Sequence, residues 1–443
     1  MKKIAIIGGG FSGTMLALQL CSQDKACEIH IIEPRELLGL GVAYSTDEPG
    51  HLLNVAATNM SAWPDKPHDF VGFLVDTHAS LAHVPVGYFN TYFASRMTYG
   101  NYIQSLVTRP EYSSIIHHRE QALRIQRVDK NLVINLSNNQ NIHADHIIIA
   151  AGIPPSGAMD RIFGWAPEGR YLAHPWDNNL TKEFLTNIDP NDAILIIGAG
   201  LTMIDMLISL EQHKIRGPIA VVSRHGLAPQ VHEDFERIEL CVGEMSPREW
   251  LKIFRSHKDS WRSVYDFIRP KSQAIWQNFG VKHKNQFLRH LRHLWDSHRH
   301  RVAPEVHRFL SRGMAQNRIN LYAGRMLKTE TSSKGFRVDF QGRDQLFSLS
   351  AHRVINCTGP ESQVINFKGS LFAGLLKDGL VTPDPTGLGL NTRNFQAIPQ
   401  NGYQDNNLYI LGALRRGTHW ETTAVPELRL DAYKLAQVII SNI

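Results

Sequence analysis

The feature that most constrains this chain is the run Gly8-Gly9-Gly10-Phe11-Ser12-Gly13, set directly behind Ile4-Ala5-Ile6-Ile7. Four consecutive apolar residues read as a strand buried on both faces. Gly13 to Cys21 then carries a helical pattern, and Glu28 to Glu33 reads as a second strand ended by Pro34. Strand, tight turn, helix and strand make a βαβ unit. Within it, Gly8-x-Gly10-x-x-Gly13 is the spacing at which a dinucleotide diphosphate can meet bare backbone. Gly8 permits the turn, Gly10 lets the phosphate approach, and Gly13 lets helix and strand pack closely. Phe11 and Ser12 stand at the helix N-terminus, where free N–H groups and the positive dipole end favour an anion. With 33 glycines in 443 residues, such a spacing arises by chance in roughly one chain in five of this size. Its weight comes from its place between strand and helix, and from Glu33 about 20 residues on, where a carboxylate can accept ribose hydroxyls.

The pattern returns. Ala193-Ile194-Leu195-Ile196-Ile197 is a second buried run, Gly198-Ala199-Gly200 the turn, Leu201 to Leu210 the helix and Ile219 to Ser223 the next strand. Met203 stands where the third glycine would be, which predicts looser helix packing. The second strand ends in Ser223-Arg224-His225 rather than in an acid. An arginine there can pair with a 2′-phosphate that a carboxylate would repel, which points to NADPH over NADH.

Each unit is followed by alternating strands and a return strand ending in small residues. These are Leu132–Leu136 with Ile147–Gly152, and Phe336–Phe340 with Val354–Gly359. The expected fold is therefore α/β, with two Rossmann-like, doubly wound dinucleotide-binding domains. Residues 1–155 plus 350–443 are expected to form the first, and residues 156–349 the second. A helical insertion over about 232–312, rich in Trp, His and Arg, lies in the second. Pro154-Pro155 and Pro360 mark the crossings between them.

Near the C-terminus, Leu408-Tyr409-Ile410-Leu411-Gly412 reads as a late strand. In the segment that follows, Thr422 or Thr423 can cap a helix with Pro426 in its first turn. Val425, Leu428, Ala432, Leu435, Ala436 and Ile439 then recur at helical spacing. The start of this helix could face the N1–C2=O edge of a flavin and favour its reduced, negatively charged form. Trp420 could wall the ring or serve equally as a core tryptophan.

These stretches resemble a bacterial FAD/NAD(P)-binding family of the FAD-dependent urate hydroxylase and aspartate N-monooxygenase type. The resemblance rests on Gly8–Gly13, Gly41-Val42-Ala43-Tyr44, Leu52-Leu53-Asn54-Val55 with Asn59-Met60-Ser61, and Gly198–Asp205. It rests also on Arg299-His300-Arg301-Val302-Ala303-Pro304 and Trp420–Glu427. It implies a monooxygenase with FAD and NADPH as cofactors and a small-molecule substrate and O2 as partners, oxygenating through a C4a-hydroperoxyflavin. It also implies that Asn54 and the segment Gly412 to Thr423, with Trp420, Glu421 and Thr422, border the isoalloxazine. Gly152 would lie near the FAD, and Gly198, Gly200 and Arg224 near the NADPH. No side chain need act as nucleophile, acid or base, since the cofactor carries the chemistry. Two other classes stay open: a flavin reductase feeding a protein or quinone, and a non-catalytic FAD-binding protein. The absence of a Cys-x-x-Cys pair argues against a disulfide reductase.

Composition narrows the rest. Hydrophobic residues make up 43% and charged residues 20% of the chain, as in ordinary globular proteins. A net charge of +6 favours anionic ligands but is too small to imply nucleic acid. Isolated thiols at Cys21, Cys27, Cys241 and Cys357 suit a reducing compartment, so a cytoplasmic location is expected. No apolar run approaches the ~20 residues of a membrane span. Residues 282–308 hold seven Lys or Arg, six His and two acids. The cations would repel a metal at His290 and His293, and Pro304 is expected to end the helix. Arg299 and Arg301 are candidates for an anionic substrate or the NADPH phosphates. The sequence specifies no oligomeric state.

Overall fold

The computed structural model describes residues 2–23, 27–128, 131–240, 245–367, 369–402 and 407–442; Cys241 lies outside them. Strand β1 (Lys2–Ile7) is followed by helix α1 (Phe11–Gln23) and strand β2 (Cys27–Ile32). β1 pairs in parallel with β2 on one side and with the strand His146–Ile149 on the other. The strand Leu408–Ile410 extends the same sheet beyond His146–Ile149. Seven strands result, drawn from both ends of the chain. Ile4 and Ile6 point to one face and Ala5 and Ile7 to the other, and all are buried, which is why this strand reads as an unbroken apolar run. The helix Val425–Ser441 lies beside α1 and buries every apolar position predicted from its periodicity.

A five-stranded sheet repeats the design with β3 (Ile194–Ile197), α2 (Leu201–Gln212) and β4 (Ile219–Ser223). β3 pairs in parallel with β4 and with the return strand Arg353–Asn356. That strand belongs to the second sheet, so the change of sheet falls after Asn356 and not at residue 350. Each unit also carries a three-stranded antiparallel meander, over 122–144 and 325–351. The crossing segments lie side by side: Pro155 bridges Pro360, and the Glu361 N–H donates to the Pro154 carbonyl at 2.9 Å.

The insertion is a set of short helices between Pro247 and Arg299, gathered around an aromatic core that includes Trp250, Trp276, Phe287 and Trp295, and the helix Pro304–Ala315 that follows buries Val306 and Leu310 in the second unit's own core. Two expectations fail here. The basic segment is two helices, Val281–His290 and Arg292–Arg299, broken at Leu291. Pro304 opens the helix Pro304–Ala315 rather than ending one, because a first-turn proline loses no helical hydrogen bond. Met203 is fully buried in the second unit's core. No helix among the described residues is long and apolar enough to cross a membrane.

Candidate functional site

The two glycine turns are built alike. Gly8 has φ +103° and lies against the Ala150 carbonyl; Gly198 has φ +108° and lies against that of Cys357. A side chain at either would strike the return strand's backbone, and the left-handed φ excludes most residues in any case. At Gly13 an added Cβ would run into the Gly8 carbonyl, which is the close helix–strand packing that the third glycine allows. Phe11 turns its ring into the core beside Tyr44, at 6.1 Å, and so offers only backbone to the turn. Gly10 faces Gly41, from the Gly-Val-Ala-Tyr stretch.

Glu33 follows β2 directly and is buried. Its Oε2 accepts the Gly9 N–H at 2.9 Å, and its Oε1 accepts from Arg35 Nε at 2.8 Å. Burial pushes the carboxyl up, but the bonds from Arg35 and Gly9 outweigh it and hold Glu33 below the usual carboxylate range. It is therefore an ionised acceptor beside the glycine turn. Arg35, 47% exposed at its side chain, can exchange for a ribose at little cost, since solvent screens an exposed pair.

The C-terminal segment closes over this turn. An added Cβ at Gly412 would lie 3.1 Å from Ser12 Oγ, so the late strand ends against the start of α1. Neither Thr422 nor Thr423 caps the following helix. Ala424 holds the N-cap position with no side-chain cap, and Pro426 is in the first turn. Thr423 is exposed, whereas Thr422 is fully buried and its hydroxyl has no partner. Glu421 Oε1 and Glu427 Oε2 are also buried without one. A buried polar atom left unpaired costs about 1–3 kcal/mol, and several at one uncapped helix start leave hydrogen-bonding capacity there that a ligand can take up. Trp420 is 4% exposed and packs on Trp276 at 4.7 Å, Phe287 at 5.3 Å and the Arg416 guanidinium at 4.5 Å. It thus sits in the insertion's aromatic core.

Asn54 is half-buried. Its carbonyl accepts the His232 Nε2–H at 3.0 Å, which ties the insertion to the first unit. In the second unit, added Cβ atoms at Gly200 and at Gly359 would meet nothing within 4 Å, and the same holds at Gly152 in the first. These are open backbone surfaces at the carboxyl ends of the strands, where doubly wound folds take ligands. Arg224 follows β4 and is exposed; next to it His225 stacks on His293 of the insertion, with centroids 3.6 Å apart.

Sequence reasoning missed the polar seam between the two units. Arg96 Nη2 lies 3.2 Å from Asp205 Oδ2, both residues being buried. His51 Nε2 meets Ser209 Oγ at 2.9 Å and the Asp205 carbonyl at 3.0 Å. These residues are far apart in sequence, and no motif links them. The residues in place fit FAD at the first turn and NADPH at the second: bare backbone for diphosphates, an ionised ribose acceptor, a free arginine, and unpaired polar atoms at a helix start.

Residues 5–154 match the model of a family described as FAD-NAD(P)-binding. No curated protein sequence matches the chain. Among solved structures, the L-lysine 6-monooxygenase from Pseudomonas syringae superposes with a TM-score of 0.70 at 15% identity, over 100% of both chains. The Kutzneria sp. 744 ornithine N-hydroxylase, with reduced FAD, NADP+ and L-ornithine, does so with 0.69 at 13%, again over 100% of both. The reduced ornithine hydroxylase from Pseudomonas aeruginosa gives 0.67 at 15%, over 100% of this chain and 99% of that one. These likenesses are to ornithine and lysine hydroxylases rather than to urate hydroxylase, and at such identities they are likenesses of fold. The amino-terminal segment thus carries the FAD-NAD(P)-binding family pattern, on a chain whose whole fold is that of the two-dinucleotide-binding flavoproteins.

Proposed function

We propose that the protein is an FAD-dependent, NADPH-oxidising monooxygenase that oxygenates a small polar molecule. The observation that carries this reading is the convergence at one place of the Gly8–Gly13 turn, Gly412 against Ser12, and the uncapped helix start beside the unpaired Thr422 hydroxyl. The domain division proposed on this basis assigns the seven-stranded sheet to FAD and the five-stranded sheet, with its insertion, to NADPH.

The Gly8–Gly13 turn and the Gly412–Thr423 segment would hold FAD, which would supply the redox chemistry between NADPH and O2. The chain's own residues do the rest. Gly8, Gly10 and Gly13 shape the diphosphate cradle, Phe11 and Ser12 lie at the α1 N-terminus, and Glu33 takes the adenosine ribose. Gly152 and Asn54 line the flavin side, and the segment Gly412–Thr423 borders the ring with Thr422 offering its hydroxyl. Glu421 and Trp420 brace that segment from behind, through Arg299 and the aromatic core. Gly198 and Gly200 receive the second diphosphate, and Arg224 its 2′-phosphate. The insertion closes the cleft against water. The whole-chain likeness to ornithine and lysine hydroxylases supports a monooxygenase rather than a reductase. The finer kinship with urate hydroxylase or aspartate N-monooxygenase types rests on the sequence motifs alone.

The test is the flavin spectrum of the purified protein under anaerobic conditions. NADPH should bleach the visible flavin absorbance faster than NADH, and admission of air should restore it. A protein that stays colourless with excess FAD, or whose flavin NADPH cannot reduce, refutes the assignment.

A further inference from the structure

The four arginines Arg262, Arg269, Arg299 and Arg301 are not equivalent. Arg299 Nε meets Glu421 at 3.2 Å and its Nη2 meets Glu427 at 3.3 Å. Arg269 shares Glu427 at 3.3 Å, and Arg262 pairs with Glu233 at 2.8 Å. Arg301 is 8% exposed and has no carboxylate partner among the described residues. Its one hydrogen bond among the described residues runs from Nε to the His298 carbonyl at 2.9 Å. Trp261, Tyr265 and Phe235 lie 5.1, 5.3 and 5.9 Å from its guanidinium carbon. Rings stacked on a guanidinium leave its edge, where the terminal N–H pairs project in one plane. That edge matches the two oxygens of a carboxylate.

Burying a cation without a counter-charge is costly. Burial pulls the Arg301 pKa down to about 10, so it stays charged at neutral pH. Beside it the Tyr265 hydroxyl is buried and unpartnered. The place is also connected to the proposed flavin edge. Val302, next in the chain, accepts from the His232 N–H at 3.0 Å, and the His232 ring donates to Asn54.

We infer that Arg301, with the Tyr265 hydroxyl, docks the carboxylate of an acidic substrate, so that the oxygenated molecule is a small carboxylic acid. This rests on the monooxygenase reading for its purpose. The competing source of an anion is a phosphate of NADPH, but the second unit already offers Arg224 at the end of β4 for that charge. Arg299, two residues earlier in the same run, is excluded because two carboxylates already neutralise it.

The experiment is a titration of the purified full-length protein with succinate, and with succinamide as its neutral counterpart. It is read by intrinsic tryptophan fluorescence, since Trp261 lies on the guanidinium. Wild type should show saturable quenching by succinate and at least tenfold weaker response to succinamide. Arg301→Met should bind succinate at least tenfold more weakly, and Arg301→Lys, which keeps a charge but loses the fork, should fall between. NADP+ affinity should not change. The ligand-free Arg301→Met protein should melt no lower than wild type, because a residue kept for a ligand is not needed for folding. The proposal is overturned if wild type ignores succinate, if Arg301→Met binds it normally, if that variant loses NADP+ instead, or if it melts markedly lower. Fluorescence needs no flavin, so a colourless protein that still binds succinate through Arg301 would refute the flavin reading and leave this one standing.

Discussion

Arg96, from the first nucleotide unit, and Asp205, from helix α2 of the second, form an ion pair at 3.2 Å with both residues buried. Burial raises the Asp205 pKa, and the Arg96 charge beside it only partly opposes the rise. The pair joins the sheets that present the two proposed cofactor sites, and Trp176 covers the guanidinium at 5.2 Å. Arg96→Met leaves a carboxylate buried alone and is expected to destabilise the protein by about 3–5 kcal/mol. The double change Arg96→Met, Asp205→Leu should recover much of that loss. Urea unfolding of the single and double variants measures both, and equal losses would show that the pair does not act as a unit.

Glu33 is held ionised beside the Gly9 amide. Glu33→Arg replaces the proposed ribose acceptor by a longer donor of opposite charge, so the protein should purify without FAD. Flavin content per chain after refolding in excess FAD provides the check. Full occupancy in this variant would remove Glu33 from the site.

Arg224 stands exposed after β4 with no acid at the strand end to repel a phosphate. Arg224→Ala should weaken NADPH by about 10- to 100-fold, the range of a charge-assisted hydrogen bond, and leave NADH nearly unchanged. Anaerobic reduction rates with each nucleotide decide it: an unchanged preference contradicts the role given to Arg224.

His232 predicts an acid sensitivity. Burial depresses its pKa to about 4, with the Asn54 carbonyl opposing the shift. The folded protein keeps the imidazole neutral, whereas the unfolded chain takes up its proton near the ordinary 6.5. The unfolded state therefore binds more protons between these values. Stability is fully present above pH about 6.5 and is lost as pH falls toward 4, by on the order of 1–3 kcal/mol. Comparing urea midpoints at two pH values within this window and above it, His232→Asn should narrow the wild-type difference. An unaltered difference would assign the effect to other groups.

Much of the fold was written locally. The apolar runs at Ile4–Ile7 and Ile194–Ile197, the glycines behind them, and Glu33 and Arg224 at the strand ends need only near neighbours to declare themselves. Strand burial, turn geometry and helix entry are each decided within a few residues. The return strands could be paired with their units because the motif repeats. What the tertiary structure alone decided is which charge meets which. Arg299 and Arg301 are two residues apart in one basic run and look alike in sequence. One meets Glu421 and Glu427, brought from over a hundred residues away, while the other is enclosed by aromatic rings and forms no ion pair among the described residues. The uncapped start at Ala424, Pro304 as a beginning and the Arg96–Asp205 seam have the same origin. Pairing and capping depend on chain segments that only packing brings together, and no local pattern carries that information.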